Sequence, residues 1–177
     1  MKLLDILQSR HSVRAYTDAP IPDEALQTII NAGLLSASSR AIRPWELVVI
    51  RNKETLQKLS ACRAGAAKML ENADAAIVVV GDETLSDVWI EDCSIVMSNM
   101  HLMADSLGIG SCWIQGRLRE AADGQSTENY IRSLLDIPEN FRLEAILSLG
   151  MPANHAPKTE LSELLHDKVH YEKFQAK

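Results

Sequence analysis

The sequence predicts an α+β sandwich that folds as one domain over residues 1–177. Helical and strand-like segments are mixed along the chain without the regular strand-helix-strand alternation that builds a doubly wound sheet. Hydrophobic residues make up 46% of the chain, which is enough for a packed core. A length of 177 residues suits one domain rather than two independent ones.

Periodicity and composition predict the individual elements. Apolar residues at spacings of three and four indicate helices, and short β-branched runs indicate strands. Pro22 with Asp23 and Glu24 marks a helix start, because proline at the first helical position and acidic residues in the first turn are both favoured. The predicted helices are 2–9, 22–35, 53–61, 64–72, 86–108, 128–136 and 161–166, and the predicted strands are 46–51, 75–81, 111–115 and 142–150.

Two segments determine the expected architecture. Residues 75–81 are continuously apolar, which predicts a buried central strand. The segment 86–108 is apolar on most of its faces, so as a helix it must be buried on most of them. We therefore expect it at the centre of the domain and also at a subunit interface. Its polar residues, among them Glu91 and Asp92, exclude a membrane span.

Charge and cysteine content restrict the functional classes. The chain has 18 basic and 24 acidic residues and a net charge of −6. The absence of a basic stripe argues against general DNA or RNA binding but permits a local anion pocket. Cys62, Cys93 and Cys112 form no disulfide or zinc pattern, and the first residues lack the apolar run of a secretory signal. We expect a cytoplasmic protein without a metal site.

The first candidate binding segment is Arg10-His11-Ser12-Val13-Arg14-Ala15-Tyr16. Two guanidinium groups four residues apart, with a serine hydroxyl between them, offer several donors to a phosphate. From spacing alone, a solvated basic turn is the more frequent alternative.

Two other segments and one lysine are further candidates. The loop Ser36-Ala37-Ser38-Ser39-Arg40 offers hydroxyls and a backbone that a flat ligand can approach, although an ordinary connecting loop explains it equally well. Gln115 and Gly116 end a strand, where a free backbone N–H would face a bound ring. Lys158 by itself is a typical surface lysine.

Patterns for side-chain catalysis are missing. The sequence has no HExxH, GxSxG or P-loop motif, and the glycines at 108 and 110 follow a helix instead of preceding one, unlike a dinucleotide fingerprint. His101 is expected to be a satisfied interior or interface residue, and Cys93 and Cys112 to be inert buried thiols. We assign no catalytic side chain, which favours chemistry on a bound cofactor.

Four motifs, in order over nearly the whole chain, resemble the nitroreductase family of FMN-dependent oxidoreductases. RHSVRAY at 10–16 is similar to the family's R-[RH]-S-x-[RK]-x-[FY], and SASSRAIRPWELVVI at 36–50 resembles A-P-S-x-x-N-x-Q-P-W with its following strand. SLGIGSCWIQG at 106–116 resembles G-[LIV]-G-[ST]-x-[WP]-I-x-G, and SLGMPANHAPK at 148–158 resembles G-x-P-x-x-x-x-P-K. No single motif is specific, but four in the right order are.

The resemblance implies a central, mostly antiparallel sheet flanked by helices, in an intertwined homodimer with two FMN sites at the interface. The cofactor-binding residues that it implies are Arg10, His11, Ser12, Arg14, Ala37, Ser38, Ser39, Gln115, Gly116 and Lys158. Among them, the arginines, Ser12 and Lys158 are implied to hold the phosphate end, with Arg14 toward the pyrimidine. Ser38 and Ser39 are implied to reach the flavin from the partner, and Gln115 and Gly116 to face the flavin N5 atom.

The activity implied by the resemblance is that of an FMN-dependent oxidoreductase. NADH or NADPH would reduce small oxidised acceptors, such as nitroaromatics or quinones, in a ping-pong cycle. The chain departs from the family at Ala41, Arg43 and Glu160, where Asn, Gln and a basic residue are usual. Two alternatives therefore stay open: a non-catalytic flavin carrier or sensor of the same fold, and a protein that keeps the fold only as an interaction dimer.

Overall fold

The computed structural model of the chain describes residues 2–176. The helices are α1 (Leu3–Ser9), α2 (Asp23–Leu34), α3 (Lys53–Leu59), α4 (Trp89–Ser106) and α5 (Thr127–Leu135). The strands are β1 (Trp45–Ile50), β2 (Ala75–Asp82), β3 (Gly110–Gln115) and β4 (Phe141–Gly150). Short 3₁₀ turns lie at Ser39–Ala41, Lys68–Asn72, Leu161–Glu163 and His166–Lys168.

The strands form one antiparallel sheet in the order β1-β2-β4-β3. This confirms the predicted α+β class and its antiparallel sheet. Every residue of β2 is buried, as its continuous apolar run predicts for a central strand. The strand β3 lies at one edge of the sheet, so one row of its backbone groups is not paired within the sheet.

Each face of the sheet has its own core. Ile77, Val79 and Leu147 belong to the core that contains residues of α2 and α4. Val78 and Ile146, which alternate with them, belong to the opposite core with residues of α3 and α5. This division follows from the period of two along a strand, which points successive side chains to opposite faces.

Helix α4 is buried along most of its length, as predicted. Residues such as Val96, Met97 and Met100 are fully buried against the sheet and α2. Ile95 and Leu107, on other faces of this segment, remain 39% and 41% exposed in the single chain. No helix among residues 2–176 is long and apolar enough to cross a membrane.

Three sequence-based boundaries were wrong. Residues 64–72 contain only the 3₁₀ turn Lys68–Asn72, and Gly65, with a φ of +69°, has a backbone conformation outside the right-handed helix. The segment 86–108 becomes helical at Trp89, after a turn in which Asp82 accepts hydrogen bonds from Thr84. Residues 161–166 form short 3₁₀ turns, because their leucines are largely exposed and no packing supports so short a helix.

The amino-terminal segment and the chain after β4 lie side by side. The Val13 N–H donates to the Ser111 carbonyl at 2.9 Å, and the Thr17 N–H donates to the Met151 carbonyl at 2.8 Å. The Tyr16 hydroxyl contacts the Val13 carbonyl at 2.9 Å and Ser148 Oγ at 2.7 Å. These bonds fix residues 10–16 beside the start of β3 and the end of β4.

Candidate functional site

Arg10 is oriented by a buried histidine of α4. Its Nη1 atom donates to His101 Nε2 at 2.9 Å, and His101 Nδ1 lies 2.5 Å from Ser111 Oγ. Because arginine only donates hydrogen bonds, His101 accepts at Nε2 and carries its proton on Nδ1. Burial, and then the neighbouring Arg10, lower the pKa of His101 to about 4. His101 is therefore the satisfied interior residue that the sequence predicted.

Replacing His101 with glutamine is expected to flatten the acid dependence of stability. A histidine pKa that is lower in the folded than in the unfolded chain makes folding less favourable as the pH falls from about 6.5 to about 4. The loss over that window is about 3 kcal/mol. Glutamine keeps an acceptor for Arg10 and a donor for Ser111 but does not titrate. Urea unfolding at pH 7 and pH 4.5 would measure this, and equal losses in both proteins would contradict the expectation.

The chain after β4 brings Lys158 toward the basic turn. The Ala156 N–H donates to His11 Nε2 at 3.1 Å, and the Thr159 N–H donates to the Gln8 carbonyl at 3.0 Å. Lys158 lies between these two contacts and is exposed. A cavity of about 380 Å³ is lined by residues 11–15 and 154–156. Three candidates from the basic segment line it: His11, Ser12 and Arg14.

The outer edge of β3 connects the basic turn with Gln115. The Gly116 N–H donates to the Glu144 carbonyl of β4 at 3.2 Å, so the sequence-based expectation of a free N–H is wrong for Gly116. Backbone groups alternate in direction along an antiparallel strand. The Gln115 N–H therefore points away from β4, on the same edge as the Ser111 carbonyl that accepts from Val13. Four residues of strand separate Ser111 from Gln115, or about 13 Å.

A second cavity, of about 600 Å³, adjoins this edge and contains two cations that the sequence did not point to. Arg63 and Lys68 line it together with Arg14, Cys112 and Trp113. Within residues 2–176, none of its three cations forms an ion pair with an acidic side chain. Unpaired cations around a cavity favour an anionic or electron-rich ligand. Arg63 and Lys68 can be found only from the fold, which brings the segment 63–68 beside β3.

The hydroxyl-bearing loop 36–40 runs along α4 from Asn99, whose Nδ2 atom donates to Ser36 Oγ at 2.9 Å, toward Asp92. The Ser39 N–H donates to Asp92 Oδ1 at 2.8 Å, and Ser38 Oγ accepts from the Arg43 N–H at 2.9 Å. Asp92 precedes His101 by nine residues, or about 14 Å of helix. Within residues 2–176, no hydrogen bond joins Ala37, Ser38 or Ser39 to the basic turn.

The end of this loop and the residues that follow it, up to 43, include three non-glycine residues in the left-handed backbone region. Arg40, Ala41 and Arg43 have φ values of 52°, 56° and 55°. We expect Ala41→Gly to raise the free energy of unfolding by about 0.5–1 kcal/mol, because glycine relieves the left-handed penalty. Ala37→Gly is the matched control, because Ala37 does not have a positive φ and glycine there only adds freedom to the unfolded chain. A loss of stability in both variants, measured by urea unfolding, would contradict this.

The cysteines are not poised as nucleophiles. Cys62, Cys93 and Cys112 are all free and buried. Burial raises the pKa of Cys93 to about 12 and also raises that of Cys112. A reactive thiol needs a lowered pKa and some exposure. The described residues also include no group of three or more histidine, cysteine or acidic side chains that could hold a metal ion.

Comparison with known proteins identifies the family. The model of the nitroreductase family matches residues 7–67 and 57–151. An FMN-dependent nitroreductase from Clostridium difficile has 41% sequence identity and a TM-score of 0.94, over 97% of this chain and 99% of that one. A protein of Archaeoglobus fulgidus, provisionally named NADH dehydrogenase/NAD(P)H nitroreductase, is 37% identical over 97% of this chain and 98% of its own.

A more distant relative has been crystallised with a nicotinamide nucleotide. The NADPH:FMN oxidoreductase from Vibrio harveyi, complexed with NAD⁺, has 28% identity and a TM-score of 0.82. The match covers 98% of this chain and 78% of that one. Each of these relatives matches nearly the whole length of this chain, and the chain belongs to the nitroreductase family.

Proposed function

We propose that this protein is an FMN-dependent oxidoreductase that uses NADH or NADPH to reduce small oxidised organic molecules. The observation that carries the proposal is the single strip on one protomer formed by the basic turn, the outer edge of β3 and the cavity between them. The named activities of the relatives, an FMN-dependent nitroreductase and an NADPH:FMN oxidoreductase, support the same class.

The residues along the strip fit the parts of FMN. Arg10, Ser12 and Lys158 provide cations and a hydroxyl for the phosphate end, and the described acidic residues leave these cations unpaired. The outward N–H of Gln115 provides a donor for the flavin N5 atom. Arg14 lies with Arg63 and Lys68 around the cavity between these two ends. We assign the pyrimidine side of the ring to that cavity.

The reaction requires little from protein side chains beyond binding and electrostatics. FMN, when bound, would supply the redox chemistry between NAD(P)H and a second substrate. Arg14 and Arg63 offset negative charge that develops on the pyrimidine side. The Gln115 N–H fixes the position of the reacting edge. We propose a ping-pong cycle in which both substrates use the same face of the ring in turn, with acceptors such as quinones or nitroaromatics.

We further propose an intertwined homodimer in which the partner completes each site. The contact of Ser39 lies about 14 Å along α4 from that of Arg10, so we assign Ala37, Ser38 and Ser39 to the site of a second copy. Exposed Ile95 on α4 and the largely exposed chain after β4 offer apolar surface for that contact. The three free, buried thiols fit a reducing compartment, so we place the enzyme in the cytoplasm.

Anaerobic spectroscopy tests the proposed function. Protein loaded with FMN is mixed with NADH or NADPH without oxygen, and the yellow flavin absorbance is followed before and after a quinone is added. We expect bleaching by at least one nucleotide and recovery with the quinone. Absence of bleaching with both would refute the oxidoreductase. Bleaching without steady-state turnover over a panel of acceptors would instead support a carrier.

A further inference from the structure

Glu144 of β4 occupies an irregular position in the sheet. The pairing of β2 with β4 shifts between Val79, which pairs with Ala145, and Val80, which pairs with Leu143. Glu144 is therefore the extra residue of a β-bulge. A bulge redirects a side chain, and bulges are frequent beside active sites. Here the bulge turns Glu144 toward α4, where Ser94 Oγ donates to Glu144 Oε1 at 3.4 Å.

The carboxyl of Glu144 is buried without a full set of partners. The residue is 4% exposed, and its Oε2 atom has no hydrogen-bond partner. No cation among residues 2–176 forms an ion pair with it. A buried, unpaired carboxylate is costly, whereas the protonated acid is tolerated and can donate a hydrogen bond. Glu144 is thus suited to hold a proton.

The backbone of Glu144 lies at the Gln115 end of the strip. The Glu144 carbonyl accepts from the Gly116 and Arg117 N–H groups, and from Gln115 Nε2 at 3.3 Å. Ser94 precedes His101 by seven residues, which places both on the same face of α4, two turns or about 10 Å apart. His101 contacts Arg10, at the start of β3. Ser94, which is half-buried on the same face of α4, lies toward the other end of β3, where Gln115 is.

The proposed reaction needs one proton that the reduced nucleotide does not provide. Reduction of a quinone to a hydroquinone adds two electrons and two protons. NAD(P)H supplies two electrons and one proton as a hydride equivalent, so a second proton must come from water or from an acid. The Ser94 hydroxyl can accept a proton from one group and donate its own to another.

We propose that Glu144 holds this second proton and delivers it, through the Ser94 hydroxyl, to the acceptor as it is reduced. The inference rests on the proposed function. In the step, the O–H bond of the Glu144 carboxyl breaks and its proton moves to Ser94. The hydroxyl proton of Ser94 moves to the acceptor oxygen, and the Glu144 carboxylate later regains a proton from water.

The surroundings of Glu144 set the pH range of this step. Burial is the main cause that raises the pKa of Glu144 above its usual value. A side-chain hydrogen bond with Gln115, the charge of Arg117 and the hydrogen bond from Ser94 act against the shift, and Glu91 on α4 adds to it. Cys93 and Asp92 also lie nearby on α4. The charges of Glu144 and Asp92 both act to raise the pKa of Cys93. Acceptor reduction should be fastest below the pKa of Glu144, where the proton is present, and should slow as the pH rises through it.

Stopped-flow kinetics of FMN-loaded protein separate the two halves of the cycle. Glu144→Gln removes the proton and keeps the shape of the side chain, so reduction by NAD(P)H should stay within about twofold of wild type. Reoxidation by a quinone at low pH should slow by tenfold or more, a smaller factor than general acids usually contribute. The pH step, which is the fall of the reoxidation rate as the pH rises through the pKa of Glu144, should disappear. Ser94→Ala should also slow reoxidation while leaving the carboxyl in place. Glu24→Gln, an exposed carboxyl on α2 that is not among the charges acting on Glu144, is the matched control and should keep the step.

A Glu144→Gln protein that reoxidises at the wild-type rate with an unchanged pH step would overturn the inference. A wild-type rate in Ser94→Ala would overturn the route through that hydroxyl, and this variant carries the test if Glu144→Gln does not fold. These outcomes differ from failure of the proposed function, in which NAD(P)H does not reduce the wild-type flavin at all.

Discussion

Gly150→Ala is expected to destabilise the protein by about 3 kcal/mol or more, the largest effect that we expect from a single methyl group. A Cβ at Gly150 would lie 2.5 Å from Cγ and 2.8 Å from Cβ of Tyr16. These atoms are close to the Tyr16 backbone, so a rotation of the side-chain tip cannot relieve the clash. Tyr16 would have to move, and its hydroxyl would lose the contacts with the Val13 carbonyl and Ser148.

Urea unfolding of a double-mutant cycle checks this mechanism. Tyr16→Gly alone removes the whole side chain and its hydrogen bonds, and Gly150→Ala in that background meets neither the ring nor the Tyr16 Cβ. We expect the cost of Gly150→Ala to fall below about 1 kcal/mol there, because residues in direct contact are strongly non-additive. An unchanged cost would show that the clash with Tyr16 is not the cause.

Arg10→Ala is expected to weaken FMN binding by about tenfold to a hundredfold. The range follows from the roughly 1.5–3 kcal/mol that a hydrogen bond to a charged group contributes. The guanidinium is held by His101, so its position is fixed before the ligand arrives. Titration of the apoprotein with FMN, followed by quenching of flavin fluorescence, gives the dissociation constant.

A surface cation provides the control for this experiment. Lys58→Ala removes one positive charge from α3, where Lys58 is paired with Glu54 at 2.7 Å. FMN affinity in this variant should stay close to that of wild type. A dissociation constant for Arg10→Ala within twofold of wild type would show that the phosphate lies elsewhere.

The sheet was predictable because its signals are local. The continuous apolar run at 75–81 places β2 at the centre, and the β-branched run that begins at Glu46 gives β1. The failures at 64–72 and 161–166 have different causes. Their apolar residues fit a helical spacing, but Gly65 has a left-handed backbone and the carboxyl-terminal leucines find no core to pack against. Propensity alone does not stabilise a helix of two turns.

The candidate site was predictable where its residues are contiguous in sequence. The segment from Arg10 to Arg14 was identified by its own spacing and by its place among four ordered motifs, and the structure places it beside β3. Arg63 joins it only through folding of a distant turn. Glu144 was invisible for another reason: in an apolar strand it looks like an outward-facing residue, and only the bulge redirects it. The assignment of these residues to FMN stays a prediction.

Mixed dimers give the most direct test of a flavin held between two copies of this chain. One protomer carries Arg10→Ala, and the other carries Ala37→Trp, a bulky side chain at an exposed loop position. Each homodimer has two damaged sites and should bind FMN weakly. In the mixed dimer, a shared site combines the intact turn of one copy with the intact loop of the other, so we expect one tightly bound FMN per dimer. Mixed dimers that bind FMN as weakly as both homodimers would contradict a shared site.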